Sequence, residues 1–318
     1  MKPWTPVLAL TLSLAAISAA SAQTPLNLIV GYPPGGSSDR VARLVSERLG
    51  KELGVPVVIE NRTGAGGRIA AQYVARASAK DNVLMLGNPA VMVVAPLVYD
   101  DVGYDAAKDF QTVALVAGYR FGFAVPADSP VKDVAGLRQT LAANPGQFNL
   151  GVPATGSLPH FFGLMLGKAL GENPEVVGYR GSGPLVTELI GGHLKYGLDT
   201  FDALEPQHAG GKLRILAVSG EQREATLPEV PTFKEAGIDV VATAWNGIFA
   251  PAAMPAADVE RYGAAIKKIA QDPAFAQIIR DTRMEPIAAD AKESQKLLDE
   301  YRAQWAPVVK ASGFRAAP

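Results

Sequence analysis

The sequence predicts an α/β protein with two lobes and a ligand cleft between them. Apolar runs such as LNLIV and VLMLG alternate with helix-like segments, as in parallel sheets covered by helices on both faces. The chain of 318 residues exceeds what one hydrophobic core usually organises. Glycine- and serine-rich loops follow the apolar runs in two clusters, at 31–88 and 151–202. Such loops project from the carboxyl ends of parallel strands, where ligands bind, so the cleft between the clusters is the expected site.

The first 22 residues have the pattern of a secretory signal peptide. MKPWTPVLALTLSLAAISAASA combines one early lysine, a long apolar stretch and the small residues Ala20-Ser21-Ala22. Cleavage after Ala22 would make Gln23 the first residue of the mature protein. A membrane anchor is the weaker alternative, because the apolar stretch is short for a span of about 20 residues. We therefore expect export to a periplasm-like compartment.

The composition excludes several classes of function. Removal of Lys2 with the leader leaves 29 basic against 31 acidic residues, without the basic excess that is typical of nucleic-acid binding. The chain has no cysteine, which excludes disulfides, a thiol nucleophile, cysteine-based metal sites and a lipid-carrying cysteine after the leader.

The first glycine-rich loop, YPPGGSSDR, joins an apolar strand to the amphipathic run VARLVSERLG. Pro33-Pro34 would stiffen the exit from the strand, while Gly35-Gly36 permit a tight turn and close approach to a ligand. Ser37 or Ser38 could cap the helix, whose first-turn amides would then face the cleft as an anion receptor. The alternative is an ordinary strand-to-helix turn with no ligand.

Asp39 complicates this anion receptor, because a carboxylate in the first turn would repel an anion in the same space. Three roles remain open from the sequence. The side chain could stabilise the helix dipole from outside, accept hydrogen bonds from a facing loop, or bind a ligand amino group.

Nucleotide and metal motifs are not found in the sequence. GAGGRI has Ile69 where the dinucleotide fingerprint needs a glycine, and no Gly-Lys-Ser/Thr occurs. The three histidines, His160, His193 and His208, show no metal-ligand spacing. We therefore expect neither a cofactor nor a metal.

Catalytic groupings are weak as well. A hydrolase built from Ser157, His160 and Asp199 can be imagined, but the serines lack the Gly-x-Ser-x-Gly elbow. The interpretation of His160 as a residue that positions a ligand or caps loop carbonyls is favoured. Arg180 in GYRGSG is either a bidentate partner for a carboxylate or a solvated loop charge.

Several aromatic residues lie near predicted strand ends. Core packing is the default expectation for most of them, which leaves an aromatic acid and an aliphatic acid both open as ligands. These residues are Phe121, Phe123, Phe161, Phe162 and Trp245.

Four segments carry a family resemblance that runs from about Leu26 to Gly313. They are GYPPGGSSDRVARLVSERLGKELGVPVVIENRTGAGG, YDAAKDFQTVALVA, GKLRILAVSGEQREATLPEVPTFKEAGI and WNGIFAPAAMP. In order and spacing, the chain resembles the extracytoplasmic solute receptors of tripartite tricarboxylate transporters, also called Bug receptors. The resemblance implies a type II-like periplasmic binding-protein fold that closes on a small organic acid.

The resemblance also implies a set of ligand-binding residues by position. In the family, loops of both lobes hold a ligand carboxylate mainly through backbone amides, hydroxyls and waters. The positions here are Tyr32, Pro34, Gly35, Gly36, Ser37, Ser38, Asp39, Gly64, Ala65, Gly66, Gly67, Ala154, Thr155, Gly156, Ser157, His160, Tyr179, Arg180, Gly181, Ser182 and Asp199.

This chain departs from the family pattern beside those loops. It has KDNVLML where the family usually has DGYTLL, GVPATGSLPH where SSGxGT is common, and YRGS where PYKGS is common. The departures affect the identity of the ligand more than the fold.

The expected organisation is a signal peptide at 1–22, a first lobe at 23–122, a second lobe at 123–245 and a return to the first lobe at 246–318. The expected protein is a monomeric periplasmic receptor, not an enzyme, that delivers a small aliphatic or aromatic mono- or dicarboxylate to a membrane permease. The alternatives are a ligand sensor for a signalling partner and a periplasmic hydrolase of carboxylate esters.

Overall fold

The computed structural model of the chain describes residues 24–316. The expected signal peptide and its cleavage site before Gln23 lie outside the described residues. Within residues 24–316, none of the helices has the length and apolar character needed to cross a bilayer. The same range holds no group of three or more histidine or acidic side chains placed to bind a metal ion.

The first segment of lobe 1 alternates strands and helices as the sequence predicts. In α1, the apolar stripe that includes Val41, Val45 and Leu49 is fully buried against the sheet. The elements are β1 (Leu26–Val30), α1 (Ser37–Leu53), β2 (Val57–Asn61), α2 (Arg68–Ala75), β3 (Val83–Gly87), α3 (Ala95–Val98) and β4 (Phe110–Pro126). A 3₁₀ turn, Ala65–Gly67, precedes α2, and a π-helical turn, Ala90–Val94, precedes α3.

Lobe 2 follows β4 and again places a helix after most strands. Its elements are α4 (Val134–Ala143), β5 (Asn149–Val152), α5 (Leu158–Leu170), β6 (Glu175–Gly178), α6 (Ser182–Ile190), β7 (Tyr196–Thr200), α7 (Phe201–Ala209) and β8 (Leu213–Val218).

The chain then returns to lobe 1 through β9 (Thr243–Pro251), α8 (Ala256–Gln271), α9 (Pro273–Asp281), β10 (Glu285–Pro286) and α10 (Ala291–Ala311). Asp272 caps α9, and Asp290 with Glu293 forms a capping box on α10, so both helices begin at well-satisfied ends. The last helix packs on β4 and also contacts α5 of lobe 2. It therefore braces both lobes.

The α/β class is confirmed, but the sheets are mixed rather than mainly parallel. Strand β1 pairs in parallel with β2 and β3, and β5 pairs in parallel with β6 and β7. Strands β4 and β9 run antiparallel to their neighbours. Strand β4 runs from lobe 1 into lobe 2 and pairs antiparallel with β9 in the first lobe and with β7 and β8 in the second, so it contributes antiparallel pairs to both sheets.

Two adjacent strands connect the lobes. Strand β4 pairs with β9 up to the pair Arg120–Thr243, and from Phe121 onward it pairs with β7 of lobe 2. The boundaries expected at 122/123 and 245/246 fall on these two strands, and the division of the chain there stays a prediction.

Candidate ligand-binding site

The loop after β1 is held by a buried carboxylate. Asp39 is fully buried, and its Oδ2 accepts hydrogen bonds from the Gly35 amide and from Arg43 Nε, both at 2.8 Å. Its Oδ1 accepts from Asn61 Nδ2 at 2.8 Å, and the same amide group donates to the Tyr32 carbonyl at 2.9 Å. Asp39 therefore stabilises the loop from within rather than binding a ligand amine.

The pKa of Asp39 reports this arrangement. Burial acts to raise the pKa, but hydrogen bonds from Arg43, Gly35 and Asn61 outweigh it and hold the value at about 2. The Gly35 amide donates to this carboxylate, so it is not one of the free donors of the expected anion receptor.

The first turn of α1 supplies the remaining donors. Gly36 stands at the N-cap, so the amides of Ser37, Ser38 and Asp39 have no acceptor within the helix. The side chains of the two serines are already engaged. Ser37 Oγ donates to Asp202 Oδ2 at 2.8 Å, and Ser38 Oγ donates to Asn246 Oδ1 at 2.9 Å.

Among residues 24–316, three polar contacts cross the cleft from lobe 1 to α7 of lobe 2. Ser37 and Arg40 both approach Asp202, the guanidinium at 3.7 Å from the carboxylate. Arg283, which follows α9, lies 3.2 Å from the buried Glu205. The lobes are thus joined by polar groups near the first binding loop as well as by β4 and β9.

The second loop of lobe 1, Gly64–Gly67, lies directly against the first. A Cβ on Gly31 would come within 2.8 Å of the Gly67 Cα, so this approach requires glycine. Tyr32 Oη donates to the Gly66 carbonyl at 3.4 Å and accepts from Asn88 Nδ2 at 2.8 Å. Burial raises the pKa of Tyr32 to about 12, against a lowering effect of Asn88, so the phenol stays neutral and can donate.

The loop after β5 is organised by His160. The Gly156 amide donates to His160 Nδ1 at 2.9 Å, which leaves Nε2 to carry the proton of the neutral ring. The ring stacks on Phe161 at 5.0 Å, and burial lowers its pKa, so it is neutral at pH 7. Ser157 caps α5 by accepting from the backbone amide of His160.

Each of the three residues considered as a hydrolase triad accepts a hydrogen bond from a backbone amide. Ser157 Oγ is engaged by a backbone amide, His160 Nδ1 by Gly156, and Asp199 Oδ1 by the Thr200 amide at 2.7 Å. Within residues 24–316, no serine–histidine–aspartate relay forms from them.

The residues of the loop after β6 differ in their exposure to solvent. Tyr179 is half-buried and packs against the core of lobe 2, and Gly181 donates from its amide to the Pro153 carbonyl at 2.8 Å. Arg180 is exposed and makes no ion pair among the described residues, which corresponds to the solvated alternative. Ser182 begins α6 and faces Asp199.

Asp199 is fully buried at the end of β7, and its Oδ2 has no hydrogen bond of good geometry among residues 24–316. Burial raises its pKa to about 7, against lowering effects of the Ser182 hydroxyl and the Thr200 amide, and the charge of Asp202 adds to the rise. Near neutral pH this carboxyl can therefore be protonated, and it can donate a hydrogen bond in that form.

One cavity joins the loops of the two lobes. Its volume is about 230 Å³, and its lining includes Tyr32, Ala65 and Gly66 from lobe 1 and Ala154–Ser157 from lobe 2. A larger cavity of about 340 Å³ lies between the crossing strands and α10, away from the glycine-rich loops. Among residues 24–316, the other expected binding residues are not part of the lining of the smaller cavity; they are Pro34–Asp39, Gly64, Gly67, His160, Tyr179–Ser182 and Asp199.

The sequence interpretation missed the other lining residues of this cavity, which are Arg68, Ala90, Val94, Ala95, Val98, Tyr99, Phe314 and Ala316. Arg68 directly follows the glycine-rich loop, and that position was a usable signal. No sequence signal marked Phe314, because only the tertiary fold brings it to the cleft.

The five aromatic residues noted from the sequence are core residues, and each is at most 4% exposed. The expectation that they pack in the core is therefore confirmed.

The comparisons with known proteins decide the family. Residues 41–314 match the model of the tripartite tricarboxylate transporter family receptor, TctC. The chain belongs to this receptor family. It is a solute-binding receptor of the periplasmic binding-protein type and not an enzyme, as the sequence predicts.

Relatives cover nearly the whole receptor. A Cupriavidus necator protein, "UPF0065 protein in gbd 5′ region", is 32% identical over 296 residues, 93% of this chain and 89% of the relative. The structure of R. palustris Rpa4515 with adipate has a TM-score of 0.82 at 30% identity, over 92% of this chain and 99% of that chain. The structure of MatC (Rpa3494) from Rhodopseudomonas palustris with bound malate has a TM-score of 0.75 at 28% identity, over 90% of this chain and 98% of that chain.

Proposed function

We propose that this receptor captures a small organic carboxylate in the periplasm and delivers it to the membrane permease of a tripartite tricarboxylate transporter. The observation that carries the proposal is the cavity that Tyr32, Ala65 and Gly66 of lobe 1 line together with Ala154–Ser157 of lobe 2. The adipate and malate bound by two similar receptors support a carboxylate as the ligand.

The chemistry of the loops suits a carboxylate. The first-turn amides of α1 and the Nε2–H of the neutral His160 ring are donors that carry no full charge, and the Tyr32 phenol holds the second loop by donating to the Gly66 carbonyl. A helix N-terminus stabilises an anion by about 0.3–1 kcal/mol, and by up to about 2 kcal/mol when sheltered. Micromolar affinity needs about 8 kcal/mol, so several donors from both lobes and the exclusion of water must act together.

The contacts across the cleft support closure of the lobes on the ligand as the step before delivery. Ser37 and Arg40 of lobe 1 meet Asp202, and Arg283 meets Glu205, so closure forms a polar seam beside the site. A ligand that bridges the loops would favour the closed form by its greater affinity for that form. The permease would then recognise the surface of the closed receptor.

The binding experiment uses the chain expressed with its own leader and purified from the periplasmic fraction. Thermal shift with adipate, malate, citrate, benzoate and amino acids, confirmed by calorimetry, should show a carboxylate ligand. A ligand at a hundredfold excess over Kd stabilises the native state by about 2.7 kcal/mol, which a thermal shift detects. A response to amino acids alone, or to no organic acid, would reject the proposed ligand class.

Delivery needs a separate measurement. Proteoliposomes that contain a tripartite tricarboxylate transporter permease of the same organism should take up the labelled carboxylate only when the receptor is added. Uptake that is independent of the receptor, or capture of a signalling protein in place of the permease, would reject the transport role. Mass spectrometry of the purified protein tests cleavage between Ala22 and Gln23.

A further inference from the structure

The C-terminal segment Gly313–Ala316 forms part of the cavity wall. It follows α10 and places the Phe314 ring 5.2 Å from His160, edge-on, and 5.9 Å from Phe161. A Cβ on Gly156 would lie 2.8 Å from the Phe314 ring, so the ring is seated directly on the loop of lobe 2.

The same segment is anchored to lobe 1. Arg315 donates from its guanidinium to the Leu97 carbonyl at 3.0 Å, and the Ala316 amide donates to the Val98 carbonyl at 2.9 Å. Phe314 and Ala316 both line the cavity. Residues 313–316 therefore close the cavity from a third side, between the two groups of loops.

Arg68 contributes charge to the same cavity. It is the one charged residue among the lining residues that the structure describes, and no carboxylate of residues 24–316 forms an ion pair with it. Its guanidinium lies 3.5 Å from the centre of the Tyr99 ring, and its Nε donates to the Ala65 carbonyl at 3.0 Å. These two contacts orient the guanidinium while its two terminal nitrogens make no hydrogen bond to residues 24–316.

The rest of this wall is apolar. Val94, Ala95 and Val98 line the cavity beside Phe314. The volume of about 230 Å³ corresponds to roughly eight waters at about 30 Å³ each. Such a space suits a short chain or a single ring, and a ligand hydroxyl placed against these side chains would lose its hydrogen bonds to water without replacement.

We propose that Arg68 and Phe314 form a subsite that selects organic acids whose carboxylate is joined to an apolar chain or ring over small hydroxylated acids. The subsite rests on the proposed function, since it defines which carboxylates the receptor captures. Arg68 pairs with a carboxylate, and Phe314 with Val94 and Val98 covers the apolar part of the ligand.

The test is calorimetry with adipate, benzoate, malate and citrate on the wild type and on Phe314→Ala, Phe314→Leu and Arg68→Gln. The wild type should bind adipate or benzoate at least about tenfold more tightly than malate, the change expected for about 1.4 kcal/mol. Phe314→Ala should weaken binding of the apolar acid about tenfold and that of malate less than about twofold. Arg68→Gln should weaken binding of all four acids, because each has a carboxylate.

Two matched controls separate the subsite from general effects. Leu297→Ala removes an exposed apolar side chain from α10, and Arg76→Gln removes an exposed cation that follows α2, both outside the cavity. Both should leave every affinity within about twofold, below the 1.4 kcal/mol that a tenfold change represents. Circular dichroism and melting curves establish that each variant folds, and Phe314→Leu, which keeps an apolar side chain, tests the ring itself if Phe314→Ala does not fold.

The outcomes distinguish the subsite from the proposed function. A wild type that binds no carboxylate overturns both. A wild type that binds carboxylates but prefers malate or citrate overturns the subsite alone. The same holds if a folded Phe314 variant keeps the wild-type affinities and their order.

Discussion

Replacement of the buried Asp39 by asparagine should destabilise the receptor in a pH-dependent way. The carboxylate accepts four hydrogen bonds in the folded state, two from Arg43 and one each from Gly35 and Asn61. They hold its pKa at about 2 instead of the ordinary 3.8. At 1.36 kcal/mol per pKa unit, the lowering corresponds to about 2 kcal/mol of stability for the ionised form.

The sign of the pH dependence follows from the lowered pKa. The contribution of the ionised Asp39 to the free energy of unfolding is fully present above the ordinary pKa, at about pH 4. It is lost as the pH falls toward the folded-state pKa of about 2. Urea unfolding should therefore show a deficit of about 2 kcal/mol for Asp39→Asn at pH 7 and a much smaller deficit near pH 2.5.

The control for this prediction is Asp128→Asn, which removes an exposed carboxylate that makes no hydrogen bond within residues 24–316. Its effect on unfolding should be small at both pH values. A deficit for Asp39→Asn that is equal at pH 7 and pH 2.5 would refute the argument, because the loss would then come from packing rather than from charge.

Three further predictions test the cleft and its loops. Ser37→Ala and Asp202→Asn should show a coupling of about 1 kcal/mol in a double-mutant cycle of urea unfolding; simple additivity would argue against their contact. Gly66→Val should abolish carboxylate binding with unchanged circular dichroism, because Gly66 lines the cavity with φ 66° and a branched side chain would distort the loop there. The control is Gly192→Val, which strains a glycine of similar φ, 73°, in a turn outside the cavity and should bind normally. Binding by Gly66→Val would contradict this prediction. Asp199→Asn should raise the free energy of unfolding at pH 8 and not at pH 4, because burial raises the Asp199 pKa to about 7 and its ionisation above that pH destabilises the folded receptor. Urea unfolding that shows the gain at pH 4 and not at pH 8 would contradict this prediction.

The alternation of elements was predictable because it depends on local patterns. The apolar runs became strands, and the stripe in the first helix, with Val41 and Leu49, became buried. Pro273 begins a helix and Asp258 lies in the first turn of another, as their residue types predict.

Strand direction was not predictable in the same way. Strands β4 and β9 have the apolar character of buried strands in either direction, and only their partners decide between parallel and antiparallel pairing. The structure pairs β9 with the lobe 1 part of β4, and β4 then pairs antiparallel with β7 of lobe 2, which makes the sheets mixed.

Within the site, the sequence identified the loops but not the state of each group. Asp39 had three open roles, and the choice depended on Asn61, which lies 22 residues away in sequence, and on Arg43. Arg180 was the cation noted in a binding loop, yet Arg68 is the cation that lines the cavity. Side-chain direction and long-range contacts decide such questions, and neither is encoded in a short motif.

The sequence by itself determined the family, the α/β class and the glycine-rich loops that turn toward the cleft, because strand–loop–helix units form from contacts between near neighbours. Only the tertiary structure decided which donors are already engaged within the protein, how the lobes meet through Asp202 and Glu205, and that Phe314 closes the cavity. The cause is distance along the chain: Phe314 and Gly156 are more than 150 residues apart and meet only after both lobes and the last helix have packed.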